Sequence, residues 1–109
     1  MPSLTRYFEL DQPDLVSGDY RISYAAVRAY RRGEALQLRP KEFLLFELFL
    51  RNRGQVLTRE QLISYISDRV DQMYERTLDV HIMRLRKNLR LRRWRDPITT
   101  VRECGYRLD

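Results

Sequence analysis

The 109-residue chain is poor in cysteine, histidine and glycine, and each scarcity excludes a class of protein. A single cysteine, Cys104, excludes an internal disulfide, and a single histidine, His81, excludes a zinc site built from cysteines and histidines. The four glycines form no phosphate-cradling loop, and no nucleophile, base and orienting group stand in a recognisable pattern. We therefore expect no enzyme, no metal site and no cofactor.

Long apolar runs are also missing. The most apolar stretch, residues 43–50, is interrupted by Glu47 and is far too short to cross a bilayer. No basic-then-apolar leader opens the sequence, so we expect a cytoplasmic protein with no membrane partner. The hydrophobic fraction of 43% is ordinary for a globular protein, and the length suits a single domain over residues 1–109.

Acidic residues are absent from one segment, and this fixes where the net charge of +6 lies. Residues 1–50 hold seven basic and seven acidic side chains, so the whole excess belongs to residues 51–109. Within that half, residues 84–95 carry seven basic side chains and no acidic one. Such a run is either a solvated basic face or a surface for an anionic partner, and its lack of counter-charge favours the partner.

Apolar and polar residues alternate through the first third of the chain, which predicts short strands. We place these strands at residues 7–10, 19–24, 27–31 and 35–38, in a sheet over about residues 5–38. A loop around Pro13 and turns at Gly18 and Gly33 separate them. The tyrosines of this region are expected to pack on the sheet rather than stack on bases. They are Tyr20, Tyr24 and Tyr30.

A helical period then begins, and it predicts a three-helix core over about residues 40–90. Pro40 suits the first turn of a helix that buries phenylalanines at spacings of three, and Gly54 is expected to close it. Thr58 and Gln61 have the spacing of a capping box, which begins a second helix over about residues 59–67. The stretch 67–74 has no period and reads as a loop.

The third helix, about residues 75–90, separates an apolar stripe from a basic face. The stripe recurs at spacings of four, three and four and consists of Leu78, Ile82, Leu85 and Leu89. At 100° per residue the opposite face holds Arg76, Val80, Met83, Arg84 and Lys87, flanked by Thr77 and His81. Apolar groups among arginines suit a DNA major groove that contains thymine methyls.

The chain ends in a predicted hairpin over about residues 97–108, with strands at 98–102 and 106–108 and a turn at 103–105. Two helices joined by a loop, with the second basic outside and apolar inside, form a helix-turn-helix. A hairpin with Arg102 near its tip is then a wing. The predicted fold class is α+β: a winged helix-turn-helix with an N-terminal four-stranded antiparallel sheet, three helices and a C-terminal hairpin.

At these residues the sequence resembles the C-terminal DNA-binding domain of OmpR/PhoB-type response regulators. The similar segments are residues 39–43, 54–62, 76–82, 84–87, 100–102 and 105–107. The resemblance implies sequence-specific binding to double-stranded promoter DNA and control of transcription. It implies that the third helix enters the major groove, that Arg102 reaches the minor groove, that loop 67–75 contacts RNA polymerase, and that two copies bind side by side on direct repeats.

The chain departs from that family pattern at three positions. Ser67-Asp68 stands where Trp-Gly is common, Met83 where arginine is common, and Glu103 where glycine is usual. We expect the last two to change affinity or sequence preference without changing the fold. By this resemblance we expect the 109 residues to hold the effector part alone, with the family's receiver domain either truncated or naturally absent.

For each site residue a binding role stands beside a structural one. Arg84 is the candidate base reader, or else half of a surface ion pair, and Arg76, Arg86 and Lys87 are expected to bind phosphates. The hydroxyls of Thr77 and Thr100 either bind phosphates or have a structural role, as a helix cap or as a hydroxyl within a strand. His81 either binds a phosphate or is a packing or surface residue. Arg90, Arg92, Arg93 and Arg95 add long-range field. The alternative function is a module that binds an acidic protein through the same basic face.

Overall fold

The computed structural model describes residues 8–90 and 96–109, which form three helices, a four-stranded sheet and a three-stranded sheet. The elements in chain order are β1 (Leu15–Ser17), β2 (Tyr20–Ser23), β3 (Arg28–Arg31), β4 (Glu34–Ala35), α1 (Pro40–Arg51), β5 (Val56–Thr58), α2 (Arg59–Ser67), α3 (Glu75–Leu89), β6 (Ile98–Val101) and β7 (Gly105–Leu108). This order confirms the predicted fold class.

The N-terminal sheet is an antiparallel meander in the order β1-β2-β3-β4, but its first strand is not the predicted one. Of residues 7–10, Tyr7 lies outside the described residues, and the other three form a bend and a turn. Phe8 packs its ring against Tyr24 and Phe43 without pairing with a strand. The short turn at Gly18, whose φ is +58°, pairs β1 with β2 instead.

The turns and tyrosines of this sheet follow the prediction. Arg32 and Gly33 both have positive φ, as a tight hairpin turn between β3 and β4 requires. Tyr20 and Tyr24 are buried, which confirms packing on the sheet, and Tyr30 is half-buried. Strand β4 covers Glu34–Ala35 instead of the predicted residues 35–38, and Leu36 and Leu38 pack against the core beyond its end.

Helix α1 is the centre of the core, in contact with both other helices and both sheets. Pro40 occupies its first turn as expected, and every residue from 42 to 50 is buried. The sequence predicted burial of one broad apolar face of this helix. In the structure the burial extends further around the helix and includes the acidic residues Glu42 and Glu47. Asn52, and not Gly54, ends the helix, because its backbone N–H bonds to the carbonyls of the last turn.

Helices α2 and α3 agree closely with the prediction. Thr58 accepts a hydrogen bond from the backbone of Gln61, whose side chain accepts one from the backbone of Thr58, so the capping box is confirmed. The loop 68–74 follows. The inward stripe of α3 is fully buried. Among the described residues, no helix is both long enough and apolar enough to span a membrane.

The wing is a three-stranded sheet in the order β5-β7-β6, with the β6–β7 hairpin predicted from sequence and β5 missed. β7 runs between its two partners. Gly105 is essential to this arrangement, since a Cβ there would lie 2.0 Å from the carbonyl oxygen of Leu57. The wing thereby lies against the start of α2 as well as beside α3.

Candidate nucleic-acid interface

The outer face of α3 is exposed and basic, with two apolar side chains at its centre. The five side chains assigned to this face from sequence are all exposed. They are Arg76, Val80, Met83, Arg84 and Lys87. Met83 has 60% of its surface exposed and Val80 has 39%, although both are large apolar residues. We call these five residues the outer face.

The cations of the outer face have few partners within the protein. Across residues 8–90 and 96–109, neither Arg84 nor Lys87 forms an ion pair or a side-chain hydrogen bond, so the alternative role of Arg84 as half of a surface ion pair is not observed there. Arg76 only stands over the ring of Tyr74, at 6.0 Å from its centroid. An unpaired guanidinium on an exposed helix retains all five of its donors for an incoming anion.

Arg86 differs from these residues because it ties α3 to the wing. Its Nε and Nη2 donate to the carbonyl oxygen of Ile98 at 3.2 and 3.1 Å, and Nη2 also donates to Oγ1 of Thr100 at 2.6 Å. Asp96 lies 3.2 Å from its Nε. The pair Arg86–Thr100 is therefore a strut between helix and wing. Contact of either residue with phosphate remains a prediction.

A second connection lies on the same side of α3, and no local sequence pattern indicates it. Arg59, the first residue of α2, donates to both carboxylate oxygens of Asp79 at 2.7 and 3.3 Å and to Glu75 at 3.2 Å. Tyr106 of β7 donates its hydroxyl to Asp79. The bonds from Arg59 and Tyr106 lower the pKa of Asp79, and burial raises the pKa of Tyr106. We call Arg59, Asp79 and Tyr106 the clamp, which fixes α3 against α2 and the wing.

Thr77 and His81, which flank the outer face, are half-buried and contact other groups of the protein. Thr77 donates its hydroxyl to the backbone carbonyl of Tyr74 at 2.8 Å, so its structural role as a cap is present. His81 is half-buried, and its Nδ1 lies 3.5 Å from Oε2 of Glu42. The phosphate contacts of both residues remain predictions.

The wing tip carries Arg102, Glu103 and Cys104, all exposed. The side chain of Arg102 has no ion pair in the part of the chain that the structure describes. Glu103 has a φ of +61°, a left-handed backbone conformation that favours glycine. Arg90, just beyond α3, is exposed, whereas Arg92, Arg93 and Arg95 lie outside the described residues.

A family model described as "Transcriptional regulatory protein, C terminal" matches residues 33–108. The chain belongs to the OmpR/PhoB family of response regulators, as a DNA-binding effector domain. The phosphate regulon transcriptional regulatory protein PhoB of Rhizobium meliloti is 38% identical over 92 residues, which are 84% of this chain and 40% of that protein. The chain spans 40–42% of the length of three curated relatives that it matches.

Solved OmpR/PhoB domains have the same fold. The DNA-binding domain of the response regulator AdeR, in complex with an intercistronic region, aligns with a TM-score of 0.74 and 28% identity over 87% of this chain and 97% of that one. The Klebsiella pneumoniae RstA DNA-binding domain, in complex with the RstA box, gives a TM-score of 0.75 and 26% identity over 89% and 97%. The family is one of transcription regulators and not an enzyme class.

Proposed function

We propose that this effector domain binds specific promoter sequences in duplex DNA, in the cytoplasm, with α3 in the major groove and Arg102 in the adjacent minor groove. The observation that carries the proposal is the outer face, where three cations without ion-pair partners among the described residues surround exposed Val80 and Met83. The major groove is wide enough to admit an α-helix, and this face offers what the groove displays: guanine acceptors, thymine methyls and flanking phosphates.

The exposed residues divide by the part of DNA that each can reach. Arg84 is central among the cations and is assigned to a guanine edge, where a guanidinium binds two acceptors at once. Arg76 and Lys87 are assigned to phosphates, which fix position without reading sequence. Arg102, at the wing tip, is assigned to the minor groove, where narrow A·T-rich stretches have enhanced negative potential.

Fluorescence anisotropy with a duplex selected from a random pool tests the proposal. Affinity should fall steeply with salt, because several phosphates are neutralised on binding. Arg84→Ala should weaken binding to the selected duplex by roughly 1–3 kcal/mol and relax its specificity, while Lys87→Ala should weaken binding to all duplexes about equally. Lys87→Ala is the matched control, since both changes remove one exposed cation from the same face.

Two results would contradict this assignment. Duplex binding that is absent at low salt would refute the function, and salt-sensitive binding to an acidic protein in its place would support the interaction module. Equal loss of specific and non-specific binding in Arg84→Ala would make Arg84 a phosphate contact only.

Met83 and Val80 are assigned to thymine methyl groups, and this contact is testable in the DNA alone. Deoxyuridine differs from thymidine by the lack of that methyl. Each contacted thymine replaced by deoxyuridine should weaken binding by about fourfold, which corresponds to about 0.8 kcal/mol for one buried methyl-sized group. In Met83→Ala the effect should shrink at the bases that Met83 covers. Identical affinities for thymine and uracil duplexes would refute the assignment.

The proposal extends to two further partners through the family resemblance. Loop 67–75 is proposed to contact RNA polymerase, and Tyr74, 57% exposed, is the large apolar side chain it presents. A second copy is proposed to bind beside the first on a direct repeat. Duplexes with one and with two half-sites test the binding of a second copy, because side-by-side binding predicts a second anisotropy step on the longer duplex only. In transcription assays, Tyr74→Ala should reduce activation without changing DNA affinity.

A further inference from the structure

The side chain of Glu42 is a carboxylate enclosed within the described part of the protein. Its side chain is 2% exposed, and neither oxygen has a hydrogen-bond partner among residues 8–90 and 96–109. Its place in the first turn of α1 supplies the partial positive charge of a helix N-terminus. That charge compensates a buried anion only in part, because a buried carboxylate ordinarily requires a paired cation or several donors.

The group that faces Glu42 is the imidazole of His81, from the neighbouring helix α3. Nδ1 of His81 lies 3.5 Å from Oε2 of Glu42 and is itself buried without a hydrogen bond to any residue that the structure describes. The imidazole side chain nevertheless keeps 14% of its surface exposed. Since Nδ1 is enclosed, the exposed part belongs to the remaining atoms of the side chain. The ring thus connects a buried anion with the flank of the outer face.

The other charged groups nearby do not compensate Glu42. Lys41, the adjacent residue of α1, pairs with Asp71 of the α2–α3 loop at 3.0 Å. On α3 itself, Arg84 is one turn from His81 and is exposed on the outer face. Among the described residues, His81 is the titratable group placed to supply a positive charge to Glu42.

We propose that Glu42 is a positioning residue that holds His81 with Nδ1 toward the core and the opposite ring nitrogen toward a DNA phosphate, and that His81 takes up a proton from solvent when duplex DNA binds. The inference rests on the proposed function, because it needs a phosphate at the flank of α3. In the complex, the imidazole lies between two anions, a carboxylate and a phosphate, and both favour its protonated form. The imidazolium then donates from both nitrogens, one toward each anion.

Proton uptake makes affinity depend on pH in a defined direction. The logarithm of the association constant rises, for each unit that the pH falls, by the number of protons taken up. An average uptake of about one quarter to one half of a proton between pH 8 and pH 6 gives roughly three- to tenfold tighter binding at pH 6.

The direct experiment is NMR of the imidazole, which is unambiguous because the chain has a single histidine. The ring proton and nitrogen signals of His81 are followed from pH 5.5 to 8 with and without the selected duplex. We expect the imidazole to remain protonated to higher pH when the duplex is bound. In isothermal titration calorimetry at pH 7, the observed binding enthalpy should vary with the ionisation enthalpy of the buffer, because a proton is taken up from it. An imidazole titration unchanged by saturating duplex would overturn the proposal.

Two variants test the positioning role. His81→Gln should bind duplex with a nearly flat pH profile between 6 and 8. Glu42→Gln, which keeps the size of the side chain, should retain duplex binding at pH 8 but lose about half of the pH dependence. Glu60→Gln is the matched control, since Glu60 is an exposed carboxylate in the first turn of α2, and its removal should leave the pH profile unchanged.

The outcomes separate this proposal from the function on which it rests. Absence of duplex binding at every pH would refute DNA binding itself. Binding with an identical pH profile in the wild type and in His81→Gln would overturn only the role of His81. Thermal unfolding of each variant shows that it is folded, and the imidazole titration of the wild type decides the matter without any substitution.

Discussion

Replacement of Glu103 separates two effects of this residue at the wing tip: the strain of its backbone conformation and the repulsion of DNA by its negative charge. Its backbone lies in the left-handed region at φ +61°, which costs a residue with a Cβ about 1–2 kcal/mol. Glycine removes that strain but loses about 0.5–1 kcal/mol more entropy on folding. Glu103→Gly should therefore stabilise the protein by about 0.5–1 kcal/mol. For 109 residues, with an unfolding entropy of about 2.1 cal/mol/K per residue, the melting temperature should rise by about 2–4 °C.

The same residue brings a negative charge beside Arg102. A carboxylate about 8 Å from a phosphate is repelled by about 0.5 kcal/mol in water, so removal of the charge should tighten DNA binding about twofold at low salt. At high salt the gain should vanish, because exposed charges are screened. Glu103→Gln isolates this effect, since it removes the charge and leaves the backbone strain in place.

Calorimetric melting and anisotropy on the three proteins decide between these effects. We expect Glu103→Gly to gain both stability and affinity, and Glu103→Gln to gain affinity alone. A melting temperature that rises equally in both variants would show that the negative charge of Glu103, and not its backbone conformation, lowers the stability of the protein. Unchanged affinity at low salt in both would show that Glu103 points away from the DNA.

Two further predictions concern stability. Gly105→Ala should destabilise the protein by at least about 3 kcal/mol in chemical denaturation, because its Cβ would overlap the carbonyl of Leu57. Gly33→Ala, which meets no neighbour within 4 Å, should lose only about 1 kcal/mol from its positive φ, and equal losses would refute the steric reason. Burial and the hydrogen bond to Glu47 raise the pKa of Tyr65 to about 12. The folded state therefore holds a proton that the unfolded chain releases above about pH 10, so the unfolding free energy should fall between pH 10 and pH 12. Tyr65→Phe should flatten that decline, and an unchanged decline would contradict the assignment.

Local signals in the sequence predicted the elements that local interactions form. The capping box of Thr58 and Gln61 closes within four residues, so α2 begins and ends where the sequence indicated. The inward stripe of α3 needs only helical period. Strand β5 escaped prediction because Val56–Thr58 is too short to show alternation, and its pairing with β7 comes from some fifty residues further along the chain.

The candidate interface divides in the same way. Helical geometry alone identified the outer face, and the exposure of its five residues confirms that part of the prediction. Helical period could not predict that Arg86 contacts Thr100 or that Asp79 contacts Arg59, because each partner comes from a different element. Helical period likewise could not predict that Glu42 faces His81, because the two side chains come from different helices.

The clamp and the strut also explain why the outer face keeps its charge. Asp79 and Glu75, the acidic residues of α3 itself, pair with Arg59, and Asp96 pairs with Arg86. These pairs connect α3 with α2 and with the wing, and they leave Arg84, on the other side of α3, without an ion-pair partner among the described residues. Because the helix and the wing are already joined, their separation is set before DNA binds. On binding, mainly the exposed side chains then become ordered, so the protein loses less conformational entropy. Less of the electrostatic attraction to DNA is therefore offset by this entropy loss, and the affinity is higher.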